Sequence, residues 1–374
     1  EQFLKAGKVL LKAGAMPEIC GRVCPQDRLC QGACPLAEEG GAVRIGALTG
    51  FCADYALNRD PKISITGRVN GKAAIVGAGP AGLACADVLR RNGLDVLVID
   101  KNVKGGGLLY YGIPSFKLPK KVVERRMDIY QKEGIKFEFS RSITTEDEIE
   151  SLIRGHDAVL WAAGAVQPVM PKIPGIEGGA FYTSDVFLAK VNLSPESAKI
   201  EFNIAGSAVA VLGAGDSAMD CARSALRLGA ERVFCIARKP KNAVSADKNE
   251  LMLAELEGVE LVELAQVREI VRGKNGSIEG VQIADAFGNV SEIPAQLVIS
   301  AWGFRNKHTP GLEKFLKFNS DGSIKTDESM YAGEKIFAAG DAVLGADLVT
   351  DAIAQGRYAA QKMIEFVKLN QKDK

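Results

Sequence analysis

Two glycine-rich turns constrain this 374-residue chain more than any other feature: Gly77-Ala78-Gly79-Pro80-Ala81-Gly82 and Gly213-Ala214-Gly215-Asp216-Ser217-Ala218. Each follows a short apolar run, residues 73–76 in one case and 209–212 in the other. Each leads into a helical pattern, ending near Arg91 and Leu228, and then into a second apolar run at 94–99 and 233–236. Strand, tight turn, helix and strand in that order make the βαβ unit of a dinucleotide-binding fold. The first glycine of such a turn permits the bend, the second admits a pyrophosphate close to the backbone, and the third lets the helix pack on the strand. The N–H groups that open the helix then face the phosphates. Two units in one chain predict an α/β protein with two Rossmann-like domains and two dinucleotides, one reducing the other. The chain holds 40 glycines, so the surrounding strand–helix pattern, and not the glycine match, carries this reading.

The ends of the second strands differ in charge. After the first turn the strand runs into Asp100-Lys101, where a carboxylate can accept ribose hydroxyls. After the second it runs into Ala237-Arg238-Lys239, with no carboxylate. An acidic residue there would bind a free 2'-hydroxyl and repel a 2'-phosphate, whereas Arg238 and Lys239 do the reverse, so NADPH is favoured over NADH at the second turn.

Four of the eight cysteines, Cys20, Cys24, Cys30 and Cys34, cluster near the start of the chain, and two of them directly precede prolines. Zinc sites usually separate their two cysteine pairs by a dozen or more residues, and this gap is too short. Closely spaced thiolates on a loop-rich segment favour an iron-sulfur cluster, with zinc or a redox disulfide as alternatives. Cys52, Cys85, Cys221 and Cys235 stand alone and read as small buried apolar side chains. Residues 43–57 read as a helix and 58–70 as a polar linker.

A net charge of +1 gives no general attraction to nucleic acid or anionic lipid, so Lys120-Lys121 and Arg125-Arg126 read as a solvated helix face. No apolar run reaches the roughly 18–20 residues of a bilayer crossing, and no signal-peptide pattern precedes Cys20; a soluble, cytoplasmic protein is expected. Neither histidine, His156 or His308, lies in a nucleophile motif, which argues against histidine-dependent hydrolysis.

Cys20-Gly21-Arg22-Val23-Cys24-Pro25, the Gly77 turn, Gly106-Gly107-Leu108-Leu109-Tyr110-Tyr111-Gly112-Ile113-Pro114, Phe116-Lys117-Leu118-Pro119 and the Gly213 turn with Met219-Asp220 occur in this order. Near the end, residues 335–341 close on Gly340-Asp341 and are followed by Leu348-Val349-Thr350-Asp351-Ala352. Together these motifs resemble the glutamate synthase small-subunit family of two-dinucleotide flavoproteins, whose relatives include the N-terminal part of dihydropyrimidine dehydrogenase. The resemblance covers nearly the whole chain. It implies a glutathione reductase-like fold: a helical iron-sulfur domain and linker over residues 1–70, an FAD domain over 71–190 and 303–374, and an NADPH domain inserted at 191–302.

By the same resemblance, Gly77, Gly79, Pro80, Ala81, Gly82, Asp100 and Lys101 hold FAD at its nucleotide end. Gly107, Leu108 and Gly112 line the flavin, Gly340 and Asp341 hold the ribityl chain, and the helix after Leu348, with Thr350 and Ala352, points its N-terminus at the flavin edge. Gly213, Gly215, Asp216, Ser217, Ala218, Arg238 and Lys239 would take NADPH, and the four clustered cysteines a 4Fe-4S cluster. Hydride would pass from NADPH to FAD and single electrons through the cluster to a partner subunit or domain, with no general acid or base.

The chain departs from the family in places. The family's quartet shares two clusters with a cysteine group upstream, which in this numbering would precede Glu1. Arg238-Lys239 and Val244-Ser245-Ala246 stand where the family commonly has two arginines and Met-Pro-Ala, and Ala162-Ala163-Gly164 replaces Ala-Thr-Gly. Other readings are an oxidoreductase acting on sulfur compounds or quinones, and a zinc-binding, non-catalytic scaffold. A thioredoxin reductase-type enzyme would need a Cys-x-x-Cys pair, which the chain lacks.

Overall fold

A computed structural model describes residues 1–60, 62, 65–307 and 309–372; His308 and part of the expected linker lie outside them. The chain divides into two compact units, Glu1–Tyr110 with Phe116–Gln167 and Phe304–Lys374, and Tyr111–Ser115 with Pro168–Gly303.

The first unit is built on a six-stranded sheet in the order Tyr331–Gly333, Ile336–Ala338, Ala158–Trp161, Lys72–Val76, Asp95–Ile99, Lys136–Glu138. All neighbours run parallel except the edge pair of Tyr331–Gly333 and Ile336–Ala338. Central strands covered on both faces read as continuous apolar runs, and Ala73, Ala74 and Ile75 are fully buried. The helix Pro80–Arg91 connects the strands Lys72–Val76 and Asp95–Ile99, and proline at its first position needs no N–H partner. The helix Val349–Lys372 packs along Pro80–Arg91. Among the first 60 residues, the helices Gln2–Ala13 and Pro17–Val23 both pack on Ile45–Leu57. Cys52 on that last helix is half-buried, unlike the fully buried Cys85, Cys221 and Cys235.

The second unit holds a five-stranded parallel sheet in the order Phe181–Thr183, Leu297–Ser300, Ala208–Leu212, Arg232–Ile236, Val259–Val262. One face carries the helix Asp216–Arg227, with Met219, Cys221 and Ala222 against Val209 and Val211. The other face packs Ala210, Leu212, Phe234 and Ile236 against Val267, Ile270, Val281 and Ile283 of an antiparallel sheet, Gln266–Arg272, Ile278–Ala284, Val290–Pro294. The division falls at Gln167/Pro168, not at 190/191. The strand Phe181–Thr183 pairs with Leu297–Ser300, and this ladder commits the residues before 190 to the second unit. The cysteine-bearing residues form one compact unit with the first sheet and are not set apart at residue 70.

Candidate functional site

At the first turn Gly77 adopts φ +110°, a conformation that favours glycine, and its N–H bonds the Ile99 carbonyl at 2.8 Å. Gly79 then caps the helix Pro80–Arg91 without any side-chain bond, so the first amides of the helix have no capping group and suit an anion. Asp100, the expected ribose acceptor, also braces the turn itself. Its Oδ2 accepts the Ala78 N–H at 2.7 Å and its Oδ1 the Asn102 N–H at 2.8 Å, and the side chain is buried, with 8% of the residue exposed. One methylene shorter than glutamate, it braces the glycine turn from beneath, while Lys101 stays exposed.

The segment at 105–107 is tied to the same turn, since the Gly106 N–H bonds the Ala78 carbonyl at 2.8 Å. Gly107 lies so close to Gly79 that a methyl group there would be 2.8 Å from its Cα. Leu108 opens the short helix Leu108–Tyr111 and is exposed. Gly112 falls in the second unit, where Asn192 Nδ2 donates to the Tyr111 carbonyl at 2.9 Å.

Gly340, at φ +71°, gives its N–H to Gln355 Oε1 at 2.8 Å, a contact the sequence did not signal. Asp341 starts the helix Asp341–Leu344, and burial pushes its carboxyl up to about 6, against a bond from the Asp347 backbone. A partly buried acceptor of this kind suits hydroxyl donors such as those of a ribityl chain. Thr350 lies in the first turn of Val349–Lys372, but the Ala352 N–H bonds the Leu348 carbonyl at 3.1 Å; Ala352 contributes packing and not an amide.

The second turn repeats the first. Gly213 has φ +129°, and Gly215 caps Asp216–Arg227 with no side-chain bond. Ala218, in place of a third glycine, is buried. Asp216 points a carboxylate oxygen at the Asp247 N–H, 2.7 Å away, and so holds the 244–247 loop beside the turn, where Ser245 Oγ lies 3.1 Å from where a Gly215 methyl would sit. Ser217 follows it in the helix. Arg238 and Lys239 are exposed at the end of Arg232–Ile236, and the Arg238 guanidinium lies 6.0 Å from the Trp302 ring centre.

Of the four clustered cysteines, Cys20 lies on the helix Pro17–Val23 and Cys24 ends it. Their thiols hydrogen-bond each other, which raises the Cys20 pKa and lowers that of Cys24. Cys34 Sγ accepts the Val43 N–H at 3.4 Å, and Gln26 braces the loop through Gln31 Nε2 at 2.6 Å and the Gly21 carbonyl at 3.1 Å. Among the described residues no three His, Cys, Asp or Glu side chains form a group that could hold a metal. The quartet is therefore not gathered into one four-thiolate cage: Cys20 and Cys24 pair across one helical turn, while Cys34 faces the Val43 amide. A paired thiol set and an N–H donated to sulfur fit ligands of a cluster completed by further donors.

The helix Pro17–Val23 packs against both Lys120–Lys132 and Val349–Lys372, and Asp351 of the latter acts electrostatically on Cys24. Arg126 departs from the solvated face expected of it. It is 2% exposed and bonds both carboxylate oxygens of Glu18, itself 0% exposed, at 2.7 Å each. The sequence held the signal, since Arg126 falls on the apolar stripe of Val122, Val123, Met127 and Tyr130. Arg125 pairs with Asp54 and Asn58.

Residues 71–356 match the pyridine nucleotide-disulphide oxidoreductase family, and residues 1–61 match dihydropyrimidine dehydrogenase domain II, 4Fe-4S cluster. The glutamate synthase [NADPH] small chain of Escherichia coli is 36% identical over 98% of this chain and 84% of its own length. The chain belongs to the glutamate synthase small-chain family. Within that family it is an FAD-dependent oxidoreductase that uses a pyridine nucleotide and carries a 4Fe-4S domain. The putative oxidoreductase AegA of Escherichia coli is 39% identical over 95% of this chain, which spans 58% of the AegA length. Mycobacterium tuberculosis FprA in complex with NADPH shares the fold at a TM-score of 0.68, with 18% identity over 81% of this chain and 86% of FprA. Among the described residues no helix is long and apolar enough to cross a membrane.

Proposed function

We propose that the chain takes reducing equivalents from NADPH at the second glycine turn, carries them through FAD at the first, and delivers single electrons through a 4Fe-4S cluster to a partner subunit or domain in the cytoplasm. FAD, when bound, supplies the exchange of one two-electron entry for two one-electron exits. The observation that carries the reading is the packing of Pro17–Val23 on Val349–Lys372. It sets the cysteines beside the helix whose N-terminus, by the family's pattern, faces the flavin edge.

Within this scheme the chain's groups bind and orient. The uncapped amides after Gly79 and Gly215 accept pyrophosphates. Asp341 accepts ribityl hydroxyls, and Thr350 opens the helix dipole toward the negative edge of reduced flavin. Arg238 and Lys239 pair with a 2'-phosphate. In this scheme, apart from Gly112, residues of the first unit serve FAD and the cluster, and those of the second unit NADPH.

Anaerobic titration with NADPH, followed by optical and paramagnetic spectra, tests the proposal. Flavin bleaching together with a reduced-cluster signal is expected. Bleaching with no cluster signal would confine the chain to two-electron traffic, and a colourless, zinc-containing protein would remove the enzymatic reading altogether.

A further inference from the structure

We infer that Glu18 and Arg126 form a positioning pair whose opposite charges cancel, so that neither displaces the reduction potential of the cluster held through Cys20 and Cys24. The inference rests on the electron route proposed above and adds a control element to it.

The pair stands at a junction. Glu18 precedes Cys20 by two residues on the same short helix, and Arg126 comes from Lys120–Lys132, a helix that also presses on the flavin-lining glycines. A methyl group at Gly106 would lie 2.8 Å from Val123 Cγ1, and one at Gly105 2.5 Å from Met127 Cε. One helix therefore touches the flavin-lining segment with one set of side chains and grips the cysteine helix with another. Tyr130 places its ring 5.4 Å from the Arg126 guanidinium, and Asp87, paired with Arg91 at 2.8 Å, acts electrostatically on Arg126.

Full burial makes such a pair a poor source of stability, because desolvation offsets most of the mutual attraction. The same burial makes each charge reach far, since little solvent lies between it and its neighbours. An iron-sulfur potential responds to the net charge and hydrogen bonds around the cluster. With both partners present, the pair itself adds no net charge beside Cys20. If either partner loses its charge, the other is left exposed to the cluster, with opposite sign in the two cases.

Redox titration of the holoprotein, followed by the paramagnetic signal of the cluster, reads this directly. Glu18→Gln leaves the guanidinium uncompensated and should move the cluster midpoint upward. Arg126→Gln leaves the carboxylate and should move it downward. Glu18→Gln with Arg126→Gln should return it to the wild-type value. Shifts of the same sign in the two single variants, unmoved potentials in both, or a double variant displaced as far as a single one would overturn the assignment. If the single variants do not assemble, Glu18→Met with Arg126→Lys, which keeps one uncompensated positive charge on a flexible side chain, decides: an upward shift of the midpoint supports the inference and an unmoved one rejects it. A wild-type protein with no reducible cluster would instead sink the proposed electron route, so the two failures are distinguishable.

Discussion

Gly356, on the carboxy-terminal helix, packs so tightly on Ala81 that a methyl group at this position would collide with the Ala81 carbonyl oxygen. Ala81 belongs to the first turn of Pro80–Arg91, the turn whose amides face the pyrophosphate in the proposed site. Gly356→Ala should therefore cost about 1–3 kcal/mol through overpacking. It should also weaken flavin retention, because the strain falls on the phosphate-binding amides. Thermal melts with and without added FAD check both effects.

Asp341 gives a pH signature. Its folded carboxyl titrates at about 6, above the ordinary 3.8, chiefly because it is buried. The unfolded chain loses the proton first, so stability falls as pH rises from about 4 to 6 and stays lower above that. Asp341→Asn removes this penalty. Flavin-free variant protein should melt higher than wild type at pH 7 and equal to it near pH 3.5, yet bind FAD more weakly at pH 7. Melting curves across pH, paired with flavin-fluorescence titrations, separate the two consequences.

Glu257 shows the opposite sign. Bonds from Arg227 and then Arg223 hold its carboxyl down at about 2. The stabilisation is present above the ordinary carboxylate range and disappears as pH falls from about 4.5 toward 2. Solvent screens the pair, so Glu257→Gln should cost roughly 0.5–1 kcal/mol at pH 7. The difference should shrink as pH falls below about 4.5 and vanish only below pH 2 in chemical denaturation experiments.

Arg238 and Lys239 carry the proposed preference for the 2'-phosphate. Arg238→Glu should raise the KM for NADPH roughly tenfold or more, the equivalent of one lost charge-assisted hydrogen bond, and affect NADH far less. Equal effects on both nucleotides in steady-state kinetics would refute the assignment.

Asp351 puts a negative charge in the first turn of Val349–Lys372, the helix that in the proposed site faces the flavin edge. It works against the positive end of the helix dipole by about 0.3–1 kcal/mol. Asp351→Asn should accordingly raise the flavin midpoint potential, measured by optical redox titration, and a lowered potential would reject this placement.

Much of the architecture was legible in the chain. Buried parallel strands such as Lys72–Val76 and Ala208–Leu212 read as unbroken apolar runs, and their glycine turns follow directly, so both βαβ units could be found from local pattern. The three antiparallel strands between Gln266 and Pro294 could not, because their alternation is broken by bulges and exposed residues. Tertiary partnerships were the other blind spot. Arg126 sits among Lys121, Arg125 and Lys132, and its charge disguised a core position that only Glu18, far away in sequence, makes tolerable. Asp100 stands where a ribose acceptor belongs, and nothing local reveals that it also accepts the Ala78 and Asn102 amides.

That second role of Asp100 bears on binding. A turn braced by its own carboxylate has part of its shape fixed by bonds within the chain. Replacing that carboxylate should therefore loosen the turn and weaken any nucleotide held there, through lost preorganisation and not through a lost contact.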